Sequence, residues 1–113
     1  MHEFSIAVSM VDIALEYADN SSATRVNNIE LEIGELSGVV IDAMTFAMEA
    51  ATKGTLLENA RLNIVQVQAR ASCRSCSNEF KIENMFDACP KCGAYNPSII
   101  SGKELRVKSL NID

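Results

Sequence analysis

Cys73-Arg74-Ser75-Cys76-Ser77-Asn78-Glu79-Phe80 and, after a short spacer, Cys89-Pro90-Lys91-Cys92-Gly93 decide how this chain is to be read. The two C-x2-C pairs hold all four cysteines. Two residues between cysteines let both thiolates turn toward one ion within a single tight loop. Two such loops complete a tetrahedron of sulfurs around Zn²⁺. Pro90 restricts the second loop, and Gly93 can take the positive φ that brings backbone N–H groups toward sulfur. Closed Cys₄ coordination leaves no position for water or substrate, so the expected role of Cys73, Cys76, Cys89 and Cys92 is structural. With few apolar residues of its own, such a module needs the free energy of metal binding to fold.

Outward from the cysteines the character of the chain changes. Residues 73–97 hold both prolines and three of the six aromatics, with three bases against three acids. Residues 1–72 carry ten acids and four bases, and residues 98–113 two acids and three bases, so the formal charge of -5 lies outside the cysteine segment. That acidity argues against nucleic acid as the main partner, because phosphate contacts need clustered cations. The 113 residues, 48% hydrophobic and 22% charged, fit one small folded domain with a satellite module. No apolar run is long enough to span a bilayer, and Met1-His2-Glu3-Phe4 lacks the basic start of a signal peptide, so the expected location is cytoplasmic.

The flanks read as an α+β body. Ser5, Ser9, Asp12, Glu16 and Asp19 make a polar stripe along a helix over residues 4–19, opposite Phe4, Val8, Val11, Leu15 and Ala18 together with Ala7, Met10 and Ala14. Asn28 to Ile33 alternates as a half-buried strand, closed by Gly34. A second helix is expected over 39–53, capped by Ser37 and ended by Gly54, with Val40, Ala43, Met44, Ala47, Met48 and Ala51 as its core stripe. Strands over 62–71 and 104–112 follow, each with a break of parity, the first near Ile64-Val65. The expectation is a small, mainly antiparallel three-stranded sheet with two helices, built from 1–72 and 98–113 and interrupted by a zinc ribbon at 73–97. An insertion between two strands permits exchange of strands between chains, so a homodimer is compatible with this layout.

His2 is the one histidine. The Met1 amine, the His2 backbone nitrogen and the His2 imidazole can form adjoining chelate rings, a planar nitrogen set that suits Ni²⁺ or Cu²⁺ better than Zn²⁺. Glu3 adds a carboxylate next door. By position alone, a histidine after the first methionine is more often an exposed residue near a chain end.

Longer stretches carry a resemblance. Met1-His2-Glu3-Phe4-Ser5-Ile6-Ala7 resembles the opening of the HypA/HybF family of hydrogenase nickel-incorporation proteins. Ile33-Gly34-Glu35-Leu36-Ser37-Gly38-Val39 is similar to that family's I-G-x-L-S-G-V turn, and Phe46-Ala47-Met48-Glu49 to its second helix. The two cysteine pairs match its zinc site in order and context. The resemblance implies a small non-enzymatic metallochaperone that carries Ni²⁺ at its amino terminus toward the large subunit of [NiFe]-hydrogenase. It makes His2 the essential nickel ligand, with the Met1 amine and Glu3 contributing. It also implies a nickel-handling GTPase as partner and, in some organisms, urease maturation factors. Some members place a carboxylate near the start of the second helix; this chain has Val40 there, with Asp42 the nearest acid. The competing reading is a zinc-ribbon module for protein interaction or nucleic-acid binding, with no nickel role. A zinc enzyme is disfavoured by the four-thiolate site and the lack of a second histidine.

Overall fold

The structure is a computed structural model that describes residues 3–113; Met1 and His2, where two of the expected nickel ligands fall, lie outside the described residues. Among the described residues the elements run α1 (Glu3–Asn20), β1 (Val26–Gly34), α2 (Ile41–Thr52), β2 (Arg61–Val67), β3 (Arg70–Cys73), β4 (Glu79–Lys81), β5 (Pro97–Ser101) and β6 (Leu105–Ile112). They form two three-stranded sheets, ordered β2-β1-β6 and β4-β3-β5, so the fold is α+β as expected, with the second sheet wholly antiparallel. The chain packs as two compact units. One comprises the chain up to Glu32, Val39–Val65 and Arg106–Asp113; the other comprises Ile33–Gly38 and Gln66–Leu105.

In the first unit α1 packs against α2. The face that α1 buries is Ala7, Met10, Val11, Ala14 and Ala18. Its alanines leave room for the backbones to approach, and α2 fills the space with Met44, Ala47 and Met48. Phe4 and Val8, expected on the core side, are exposed instead. The buried arc is rotated toward the small residues. The polar stripe Ser5, Ser9, Asp12, Glu16 and Asp19 is exposed throughout, as its spacing requires.

Helix α2 starts two residues later than expected. Ser37 is not its cap; Val40 takes the cap position with extended backbone and no side-chain cap of its own. Val40 is also exposed rather than part of the core stripe, because it precedes the first helical turn. Gly54, at φ 76°, lies just beyond the helix end. Met44, Met48 and Leu57 are fully buried, each contributing about 1.5–3 kcal/mol of apolar transfer.

Strand β1 buries Ile29, Leu31 and Ile33 on alternate positions. Its other face pairs across to β6: Asn27 bonds Asn111, Glu30 meets Lys108 and Glu32 meets Arg106. Rising numbers on β1 meet falling numbers on β6, so the two run antiparallel. The expected parity break in β6 is present, with Lys108 and Ser109 both exposed between half-buried Val107 and Leu110. Opposite it, β1 makes a matching step between buried Val26 and Ile29, and the cross-strand pairs keep their register. In β2 adjacent Ile64 and Val65 are both half-buried, which is the break expected there.

The expected strand over 62–71 is two strands that join different sheets. Ala69 is the reason. Its N–H is taken by the Glu35 carboxylate at 2.8 Å and its carbonyl by the Ile82 N–H at 3.0 Å, so its backbone leaves the ladder. In the same unit the stretch Gly34-Glu35-Leu36 is pinned on both sides. Gly34 N–H bonds Glu104 O, Glu35 N–H bonds Val67 O and Leu36 N–H bonds Gly102 O. A Cβ on Gly34 would sit 2.0 Å from the Gly102 carbonyl oxygen, so only glycine fits. Strand β5 was not expected either. Pro97 opens it on a sheet edge, where a missing N–H costs no ladder bond.

Candidate metal centre

The two cysteine loops share one backbone pattern. In the first, Cys73 N–H bonds Asn78 O and Ser77 N–H bonds Cys73 O, each at 2.8 Å. In the second, Cys89 N–H bonds Ala94 O at 2.9 Å and Gly93 N–H bonds Cys89 O at 2.8 Å. The residue four after the leading cysteine has positive φ in both: Ser77 at 62° and Gly93 at 78°. Gly93 takes the positive φ expected of it; Ser77 is its counterpart, with no glycine to announce it. Strand β3 delivers Cys73, and Cys89 follows the turn that Asp87 closes by accepting the Glu83 and Asn84 N–H groups at 2.8 and 3.1 Å. Those two bonds hold the Asp87 carboxyl below its ordinary range.

All four sulfurs lie within 4.8 Å of one another, a grouping that could hold a metal ion. Cys73 and Cys92 Sγ are 3.5 Å apart, and Cys76 and Cys89 Sγ 3.7 Å. A tetrahedron with metal–sulfur distances of about 2.3 Å has edges of about 3.8 Å, so the sulfurs already stand at the spacing of such a shell. The cysteines are free, with Cys73 and Cys89 buried and Cys76 and Cys92 exposed. A four-thiolate tetrahedron suits zinc or iron and excludes the hard cations.

The electrostatics favour a cation. Burial is the largest single influence on Cys89 and raises its pKa. The backbone N–H groups of Cys92 and Lys91, with Cys76 and the Asn78 amide, together outweigh it and bring the thiol down to about 6. Cys73 is lowered chiefly by the Cys76 N–H, against opposing burial. At Cys92 the Ala94 N–H lowers the pKa, but neighbouring Cys73, burial, Cys76 and Cys89 combine to push it to about 12. Four sulfurs this close cannot all be ionised without a positive charge among them.

Of the three residues expected at the nickel site, Glu3 is the one among the described residues. Its carboxylate Oε2 accepts the Val40 N–H at 3.3 Å, which brings the first turn of α1 to the start of α2. Glu3 thus takes the N–H of the cap residue itself, one of the donors a helix start leaves unpaired, and its charge lies at the positive end of the α2 dipole. Asp42 lies in the first turn of the same helix, exposed. The structure gives Glu30 and Glu32 cross-strand cations and makes Glu35 the anchor of Ala69. Among the described residues no helix is long and apolar enough to cross a membrane.

Comparison with known proteins agrees with this arrangement. A curated relative from Geobacter metallireducens, named hydrogenase maturation factor HypA, is 50% identical over 113 residues, covering 100% of both chains. One of the same name from Geotalea daltonii is 47% identical over 112 residues, covering 99% of both. The solution structure of the nickel metallochaperone HypA from Helicobacter pylori superposes with a TM-score of 0.72 at 30% identity, covering 99% of this chain and 97% of that one. The family described as hydrogenase/urease nickel incorporation, metallochaperone, matches residues 1–112. The chain belongs to the HypA family of nickel-incorporation metallochaperones, which are maturation factors and not enzymes.

Proposed function

We propose that this chain binds Ni²⁺ at its amino terminus and hands it on during maturation of [NiFe]-hydrogenase, while Cys73, Cys76, Cys89 and Cys92 hold a structural Zn²⁺. The observation that carries the reading is that the family match begins at residue 1. It therefore takes in Met1-His2-Glu3, where an amine, an imidazole and a carboxylate follow one another. Nickel is cargo here, bound by the Met1 amine and the deprotonated nitrogens of His2. Glu3, already turned to the start of α2, contributes charge or a ligand, and Asp42 is the nearest further carboxylate on that helix. The division of labour follows: nickel belongs to the body of residues 1–72 and 98–113, and zinc to the inserted module 73–97. Zinc is favoured over iron because a site that only braces a loop gains nothing from redox chemistry. The expected partners are a nickel-handling GTPase and the hydrogenase large subunit, met in the cytoplasm, with a homodimer compatible with the layout.

The test uses untagged protein retaining Met1. His2→Ala should abolish stoichiometric Ni²⁺ binding in isothermal titration while zinc content and helicity stay unchanged. Unaltered nickel affinity in that variant would overturn the assignment. The nitrogen donors must lose protons to bind, so the affinity of the parent protein should fall as pH drops through about 6.5.

A further inference from the structure

The cysteine unit carries an exposed groove that neither metal reading uses. It has a volume of about 450 Å³ and is lined by Met85, Phe86, Tyr95, the first part of β5, Arg74 and Lys103. Phe86 and Tyr95 are 78% and 77% exposed, and Met85 is exposed beside them. Two large aromatics that bury so little on folding are of the kind that anchors interfaces.

Four consecutive residues, Asn96, Pro97, Ser98 and Ile99, line the groove. Successive side chains of a strand point to opposite faces, so a groove touching all four runs along the strand's edge. The sheet order β4-β3-β5 makes β5 an edge strand, paired only with β3. Its outer side offers backbone carbonyls, and N–H groups beyond Pro97, to an extended segment.

The charge of the lining selects the occupant. The groove contains two cations and no acid, on a chain whose formal charge is -5. Among the described residues the ion pairs are Arg106–Glu32 and Lys108–Glu30, so Arg74 and Lys103 are in neither. The Arg74 N–H bonds Asn96 O at 3.2 Å, which holds Arg74 at the start of β5, and Lys103 follows its end by two residues. The span from Asn96 to Ser101 is roughly 17 Å of strand.

We propose that this edge docks an extended acidic segment of a partner protein, with two carboxylates about five residues apart engaging Arg74 and Lys103 and an apolar side chain between them seated on Phe86 and Tyr95. The surface is independent of the nickel ligands. Nucleic acid would also meet cations and aromatics here, but an acidic chain offering two bases in one groove favours a peptide.

The test is titration of zinc-loaded, isotopically labelled full-length protein with a synthetic nine-residue peptide that carries two glutamates five apart and a leucine and valine between them. Backbone amide shifts should concentrate at Arg74, Phe86 and residues 95–103. The double variant Arg74→Glu, Lys103→Glu should weaken binding by about tenfold or more, and Phe86→Ala by a similar factor. Because Arg74 stands between two cysteines, metal content is measured on every variant. Lys103→Glu alone, outside the loops, should still weaken binding. Absence of shifts at millimolar peptide, equal binding of a peptide with lysines for glutamates, or tighter binding of an oligothymidine of matched length would each overturn the proposal.

Discussion

The unit with the two helices buries Met44, Met48, Leu57 and, from β1, Ile29 and Leu31, whereas the core cluster of the unit with the cysteines is Ala69, Ala71, Phe80, Ile82 and two of the cysteines themselves. The first has long apolar side chains from several elements converging on one interior. The second has two alanines, one phenylalanine, one isoleucine and sulfur, with Leu36, Ala94 and Ile99 packed at the margin. Buried apolar area of that extent does not offset the conformational entropy of ordering residues 66–105. Its remaining order comes from turns, from the Glu35 and Glu104 carboxylates bonding the Ala69 and Gly102 N–H groups, and from whatever joins the four sulfurs. The difference implies that one unit folds on its core and the other on its ligands.

Removing the metal should break this comparison open. Structural zinc supplies on the order of 10–16 kcal/mol in small Cys-rich modules, more than any side-chain packing here. Cys73→Ser, or chelation, should release the ion and strip hydrogen-exchange protection from residues 66–105 while far-ultraviolet circular dichroism retains the signal of α1 and α2. Simultaneous loss of the helices would show the units to be one cooperative body. The pH dependence has a definite sign. Protons compete with metal for thiolate, so affinity falls as pH falls. With Cys89 at about 6 and Cys92 at about 12 in the absence of metal, Cys92 gives up its proton on binding throughout the neutral range. Cys89 begins to do so only below about pH 6. A plot of log affinity against pH should therefore steepen by about one proton below that point.

A covalent change away from the sulfurs sharpens the contrast. Gly34→Ala would drive a methyl group into the Gly102 backbone carbonyl and against the Glu104 carboxylate, and the chain must shift to admit it. The loss expected from urea unfolding is about 3 kcal/mol or more. Met44→Ala in the helical unit should cost a comparable 2–5 kcal/mol by a different route, a cavity without strain. Substituting Gly34 should lower metal retention as well, and substituting Met44 should not. If both leave metal content equal, the turn at Gly34 does not support the cysteine unit.

These particulars also mark where sequence is legible. Helix and strand periods, the parity breaks at Ile64-Val65 and in β6, and the C-x2-C loops all rest on local spacing, and the structure has them. What was missed depends on distant partners. Nothing local to Ala69 announces that Glu35, thirty-four residues away, will take its N–H and divide the strand. Nothing near Val40 announces that Glu3 will take its N–H. The burial of alanines rather than Phe4 on α1 was fixed by the approach of α2, which a helical period cannot specify.

The smallest effect tests the likeness of the two cysteine loops. They share the same pair of backbone bonds, yet one meets the positive φ with Gly93 and the other with Ser77. A left-handed conformation costs a residue with a Cβ about 1–2 kcal/mol that glycine avoids, while glycine's freer unfolded chain returns part of that difference. Ser77→Gly should then stabilise the metal-loaded protein by about 0.5–1 kcal/mol, and Gly93→Ser should destabilise it by a similar amount or somewhat more. No atom would crowd a Cβ at Gly93, so the second change reports conformational preference alone. Opposite signs of similar size, read from metal-loaded thermal unfolding, would show that the loops are energetically equivalent. Two losses would instead show that the Ser77 hydroxyl contributes something a backbone pattern does not contain.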